Sequence, residues 1–230
     1  MTRYFTSALF AFLRELAENN NKEWWEDNKD RYVETIREPA HDFIGDFGDR
    51  LASISPHFSA DTRTNGGSLM RPYRDMRFAS DKTPYKINVG IQFRHNRGKD
   101  VHAPGFYLHL EPAGNFAGAG MWTPEAKVAR KIRQAINDSP SSWEKAAHSK
   151  QFTGQWAIGT HDEDFLKNVP KELDADHPYA DDLRLKSFTA GTKLTQKSVT
   201  SAVFADELLA LYSSAGRYTR FLCEAIEVEF

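Results

Sequence analysis

The spacing of apolar positions changes period along this chain. Near the start, Leu9, Phe12, Leu13 and Leu16 recur at helical spacing behind a capping Thr6 or Ser7, and Asn19-Asn20-Asn21 ends the segment. A second helix is expected from Lys22 to Arg37, burying Trp25, Tyr32 and Ile36. Pro39 then breaks it or starts a third helix carrying Phe43, Phe47 and Leu51. The middle of the chain switches to period two. Phe58-Ala60-Thr62-Thr64 alternates up to Asn65-Gly66-Gly67, a hairpin signal, and Ser68-Leu69-Met70 returns. The clearest strand is Lys86 to Arg94, with Ile87, Val89, Ile91 and Phe93 on one face and Asn88, Gln92 and Arg94 on the other.

Phe106, Leu108 and Leu110 repeat the alternation and put Tyr107, His109 and Glu111 on the opposite face. Phe116 to Trp122 is a further strand with Gly118 and Gly120 on one face. Thr123-Pro124-Glu125 reads as a helix start, with Val128, Ile132 and Ile136 as the apolar stripe, and Ser139-Pro140-Ser141 begins a short helix. Leu183 to Thr189 is expected as another strand, and Ala202 to Ile226 as helix broken near Ser213 to Gly216. Helices at both ends around a mostly antiparallel central sheet make an α+β fold, expected as one domain over residues 1–230.

Composition narrows the class. The chain has 230 residues with 16 Phe and 5 Trp, enough apolar bulk for a substantial core, so Trp24-Trp25 and the phenylalanines at helical spacing read as core rather than as base-stacking platforms. Its single cysteine excludes an intrachain disulfide, and Cys223 in an apolar helical pattern reads as a buried thiol. No apolar run has the length of a membrane span, and no small-residue cleavage site follows Ala8 to Leu13, so a cytoplasmic location is expected. A net charge of −2 counts against a generic nucleic-acid binder.

Charge is nevertheless uneven. Arg71 to Lys86 reads R-P-Y-R-D-M-R-F-A-S-D-K-T-P-Y-K, with Thr83-Pro84 stiffening a turn before the strongest strand. Five cations, Arg71, Arg74, Arg77, Lys82 and Lys86, stand against two carboxylates, Asp75 and Asp81. Arginine is suited to two-pronged recognition of carboxylate or phosphate, and crowded cations repel unless an anion joins them. The residues therefore point to an anionic small-molecule partner, a phosphorylated metabolite or nucleotide. Tyr85 is expected to donate a hydrogen bond, and Asp75 or Asp81 to orient the arginines. Asp75 and His109 are the candidates for acid–base work, and phosphoester or phosphoryl chemistry is the natural class for any reaction. Two alternatives stand beside this reading: a nucleic-acid module whose basic stretch tracks phosphates, and a structural or interaction protein in which the motif is an internal ion network.

The same residues resemble a domain-of-unknown-function family of about this length, marked by R-x-x-R-D-x-R-F-x-x-[D/N]-K-x-x-Y. Arg71, Arg74, Asp75, Arg77, Phe78, Asp81, Lys82 and Tyr85 keep every spacing, and Asn20 to Trp25 is similar to that family's N-x-x-x-W-[FW] opening. The resemblance implies membership over nearly the whole chain and carries no established activity. No cofactor is expected. No metal site is expected either, because His95, His102 and His109 lack ligand spacing and the group His161, Asp162, Asp164, Asp176 and His177 reads as a solvated acidic surface.

Overall fold

The N-terminal apolar stripe becomes helix α1, Ser7–Glu18, whose Thr6 side chain accepts from the Ala8 N–H. In the computed structural model, which describes residues 2–75, 77, 80–98, 103–159 and 162–230, that stripe is buried at Leu9, Phe10, Phe12, Leu13 and Leu16. Asn21 caps α2, Lys22–Tyr32, through the Trp24 N–H. The chain then runs without a break through a π-helical turn, Val33–Arg37, into α3, Glu38–Ala52. Pro39 does not break the helix. It cannot donate backward, and the widened turn, in which the Glu38 N–H reaches the Val33 carbonyl, accommodates its ring.

Five strands form the sheet: β1 Val89–Arg94, β2 Gly105–Leu110, β3 Asn115–Met121, β4 Ala157–Ile158 and β5 Phe188–Leu194. They lie in the order β1-β2-β3-β5-β4, all neighbours antiparallel. The inner face carries Val89, Ile91 and Phe93, then Phe106, Leu108 and Leu110, then Ala117, Ala119 and Met121, with Phe188 and Ala190 closing the row; all are buried. Phe5, just before α1, and helices from both ends of the chain, through Phe43, Phe47, Phe204 and Tyr212, add to the same core. Tyr212 lies 4.7 Å from Phe106, centroid to centroid, and Phe47 lies 5.1 Å from Phe93. The fold is thus α+β, with helices flanking an antiparallel sheet.

Four expectations shift. Residues 58–67 are not a strand: Phe58 makes a single bridge to His95, and the chain then turns on Asp61, whose carboxylate takes the Arg63 N–H and whose carbonyl takes the Ser68 N–H. A Cβ at Gly67 would stand 2.1 Å from the Arg63 carbonyl oxygen, so this turn excludes any larger residue. Thr123 does not cap a helix; it sits at φ 43° and donates its N–H to Ser187, and α4 runs Ala126–Asp138. The strand expected over Leu183 to Thr189 begins later, at Phe188. Leu183 instead ends a helical turn, Ala180–Leu183, and buried Arg133 of α4 holds the corner by donating to the Leu183 and Leu185 carbonyls. Ile87, expected inward with Val89, is 37% exposed because the chain bends before β1.

The segment after α4 is α5, Pro140–Trp143, a π-helical turn Glu144–His148, and α6, Lys150–Thr153. The short helix at Ala180–Leu183, here α7, is followed by α8, Gln196–Val199, α9, Phe204–Ser214, and α10, Gly216–Ala225, so the break expected near Ser213 to Gly216 is present. Asp182 ties these parts together by accepting from Trp143 Nε1 and His148 Nε2, each at 2.5 Å. Cys223 is a buried thiol that burial pushes up to about 12. Among the described residues no helix is long and apolar enough to cross a membrane.

Two predictions follow from the packing. Trp25 is fully buried against Tyr32 and Tyr85, so Trp25→Ala is expected to lower unfolding free energy by about 3–5 kcal/mol in a urea titration. The hydrogen bond from Asp182 raises the pKa of His148 above 6.5. A raised folded-state pKa gives stability that is complete below pH 6.5 and is lost as pH climbs through the raised value. The melting temperature is expected to fall across that window, and His148→Gln to flatten this part of the profile.

Candidate functional site

The basic segment folds as an irregular two-stranded arm beyond the β1 edge. Leu69 bridges Ile91, Tyr73 bridges Tyr85, the Arg74 N–H reaches the Pro84 carbonyl at 2.9 Å, and the Lys86 N–H reaches the Pro72 carbonyl at 2.7 Å. The arm is fastened to the helices at Tyr85. Asn20 donates its side-chain N–H to the Tyr85 carbonyl at 2.9 Å and accepts the Tyr85 N–H at 3.0 Å. The Tyr85 ring stacks on Trp25 at 4.2 Å and 12°. Two segments separated by 65 residues thus meet face to face, one carrying Asn20 and Trp25, the other Tyr85.

Within the arm the charges sort into two groups. Arg74 donates to Asp81 and to the Thr83 hydroxyl. Arg77 pairs with Asp75 at 2.7 Å. The Thr83 N–H, followed by Arg74, holds the Asp81 carboxyl down to about 2, and Arg77 holds Asp75 well below the usual carboxylate range. Both acids are therefore held ionised beside their arginines. Lys82 is exposed, and Phe78 lies outside the described residues. Arg71 and Lys86 differ from the rest. Among the described residues neither forms an ion pair, Arg71 is exposed, and the partly buried Lys86 has its pKa lowered first by burial and then by Arg71. Tyr85 is only 4% exposed, so its ring is a packing group in this structure.

Beside the arm, the outer sheet face is read off the strand register. Gly90, His109, Phe116 and Lys193 form one cross-strand row; Gln92, Tyr107, Gly118 and Gly191 form the next. His109 stacks on Phe116 at 4.6 Å and 15°. Its Nε2 is 2.9 Å from Glu111 Oε2 and its Nδ1 is 3.2 Å from the Tyr107 hydroxyl, with Asn88 Nδ2 at 3.5 Å from the same nitrogen. With the proton on Nε2, His109 donates to Glu111 and accepts from Tyr107. Burial, then the Glu111 charge, pushes Tyr107 up to about 12, so its hydroxyl stays protonated as a donor. The row of carboxylate, imidazole and hydroxyl is the arrangement in which an oriented histidine exchanges a proton at its second nitrogen.

Room for Tyr107 comes from Gly90, where a Cβ would stand 2.8 Å from the Tyr107 hydroxyl and 3.0 Å from the Met70 sulfur. Beyond Tyr107 the face is bare, since a Cβ at Gly191 would meet nothing within 4 Å. Lys86 and Asn88 also border a void of ≈ 10 Å³ between the arm and α1–α2, room for about one water, beside the unpartnered Trp25 Nε1.

The structure therefore places Arg71, Arg74, Arg77, Lys82, Tyr85 and Lys86 on one arm and His109 on the adjoining sheet face. Asp75 sits with Arg77 in the arm, and no hydrogen bond among the described residues joins it to His109. Asn20 and Phe116 were missed as supporting groups, because contacts at long sequence separation leave no local spacing to read. Of the histidines weighed for metal binding, His102 and His161 lie outside the described residues, and among the described residues no group of three His, Cys, Asp or Glu is placed to hold a metal.

Comparison with known proteins gives a family and nothing finer. No curated protein and no solved structure matches the chain. A family model described as a conserved hypothetical protein, DUF2461, matches residues 8–221, a span that includes both the Asn20–Trp25 segment and the basic arm. Since that match covers nearly the whole chain, this protein belongs to the DUF2461 family of conserved hypothetical proteins.

Proposed function

We propose that the chain is a single cytoplasmic domain that binds a phosphorylated small molecule or nucleotide. Arg71 and Lys86 hold the phosphate, and His109 is the neighbouring acid–base group. The observation that carries this reading is the like-charged pair itself. Burial and Arg71 both disfavour the charged form of Lys86, and no carboxylate among the described residues neutralises either group at ion-pair distance. A bound dianion removes that penalty and gains charge-assisted hydrogen bonds from both side chains. Arg74 and Arg77, each already holding an aspartate, shape the arm and add positive potential to it. Asn88, two residues beyond Lys86, brings the site within one side chain of His109, whose Glu111 and Tyr107 partners orient it for proton exchange. Any reaction there is of the phosphoester class, with the two cations stabilising developing charge.

The test is a melting-temperature screen against inorganic phosphate, sugar phosphates, nucleotides and short oligonucleotides. A ligand present at 100 times its dissociation constant is expected to add about 2.7 kcal/mol of stability. Lys86→Met and Arg71→Gln are each expected to remove most of that gain. Equal stabilisation of both variants and the wild type places the ligand elsewhere, and no shift from any compound rejects the site. Stabilisation by oligonucleotides alone favours the nucleic-acid alternative.

Without ligand the sign reverses. A lysine with a lowered folded-state pKa costs stability at every pH where it is charged, and the cost fades as pH rises toward the ordinary lysine value of 10.5. Ligand-free Lys86→Met is therefore expected to melt above the wild type at neutral pH, with the gap narrowing in alkaline buffer.

A further inference from the structure

A separate groove runs along α9 and α10. At one end is a recess of ≈ 440 Å³ lined by Lys145, Arg217, Arg220, Ser149, Ser213 and Gly216, with no acidic side chain among its lining residues. Among the described residues none of these three cations makes an ion pair or side-chain hydrogen bond. Arg217 and Arg220 are three apart on α10 and so share a face. The Arg220 guanidinium lies 4.4 Å from the centroid of the Phe230 ring. That stacking fixes its plane while engaging none of its N–H donors. The first turn of α10 opens at the same place, and its N–H groups have no carbonyl a turn earlier within the helix.

The basic recess shares Gln151, Ser213 and Ser214 with an adjoining recess of ≈ 770 Å³, walled by Leu194, Phe204, Leu208 and Leu211. Both volumes suit small-molecule sites. A cationic end joined to a trough of apolar walls, side-chain amides, hydroxyls and the Glu207 carboxylate, which already takes the Ser198 hydroxyl, complements a molecule with an anionic head and a partly apolar body that carries hydrogen-bond donors.

We infer that this groove is a second ligand site, for an organic phosphate: the phosphate sits among Lys145, Arg217, Arg220 and the α10 N-terminus, and the body lies along Leu208 and Leu211. This site does not depend on the reading of Arg71 and Lys86.

The experiment is a ¹H–¹⁵N titration with inorganic phosphate and, separately, AMP. Both are expected to shift the Gly216 and Arg217 amides and the Arg220 Nε–H saturably. AMP alone is expected to shift Leu208 and Leu211 as well, and to bind more tightly than phosphate. Both arginines are exposed, so R217Q/R220Q is expected to keep its fold and bind at least about tenfold more weakly. Lys145→Gln provides an independent single-site variant and is expected to weaken binding by a smaller factor. The same titration in Lys86→Met is expected to be unchanged, which separates this site from the arm. Silent Gly216 and Arg217 signals in the wild type overturn the inference, as does undiminished affinity in R217Q/R220Q. AMP binding no tighter than phosphate, without shifts at Leu211, overturns the organic-phosphate assignment.

Discussion

The attachment at Tyr85 holds the rest of the candidate site in place. A basic arm outside the regular strands has little reason to keep one geometry, because its own cations repel. Tyr85 supplies the reason by stacking on Trp25 at 4.2 Å while both of its backbone polar groups are taken by the Asn20 side chain. Burying an aromatic ring with its backbone satisfied is worth more than the exposed ion pairs further along the arm, whose attraction solvent screens. Position is therefore set from the helix side, and charge is free to be arranged for another purpose.

That arrangement divides the cations. Arg74 and Arg77 hold Asp81 and Asp75 through short local loops, which shapes the arm and neutralises its tip. Arg71 and Lys86 form no ion pair among the described residues, Arg71 disfavours the charge on Lys86, and Asn88 Nδ2 lies 3.5 Å from His109 Nδ1. On the proposed reading, such a pair is retained at some cost in stability because a bound anion would use its donors. On the adjoining sheet face Glu111, His109 and Tyr107 are joined by hydrogen bonds, with the His109 ring stacked on Phe116.

How much of this was legible depended on distance along the chain. Alternation placed Val89, Ile91 and Phe93 inward and Tyr107, His109 and Glu111 outward, because a strand's two faces are fixed by neighbours in sequence. The arm's aspartates lay within reach of its arginines by spacing alone, as the Arg74–Asp81 and Arg77–Asp75 pairs show. Failures came where tertiary contacts overrode local pattern. Arg133, fifty residues earlier in the chain, turns the Leu183–Leu185 corner away from strand. The Asp61–Ser68 clasp stops an alternating run from pairing. Asn20 read as the end of a helix, since nothing near it hinted at a partner at Tyr85. Nothing in the local pattern singled out Arg217 and Arg220, because the groove they line exists only once α9, α10 and the α5–α6 segment are packed.

Amide hydrogen exchange at Tyr85 tests the central claim most directly. The Tyr85 amide is expected to be protected to nearly the same degree as the amides of β2. In Asn20→Ala, protection is expected to fall together at Arg74, Tyr85 and Lys86 while β2 keeps its own. A wild-type Tyr85 amide that exchanges as fast as an exposed loop contradicts the account, and so does an Asn20→Ala arm whose protection is unchanged.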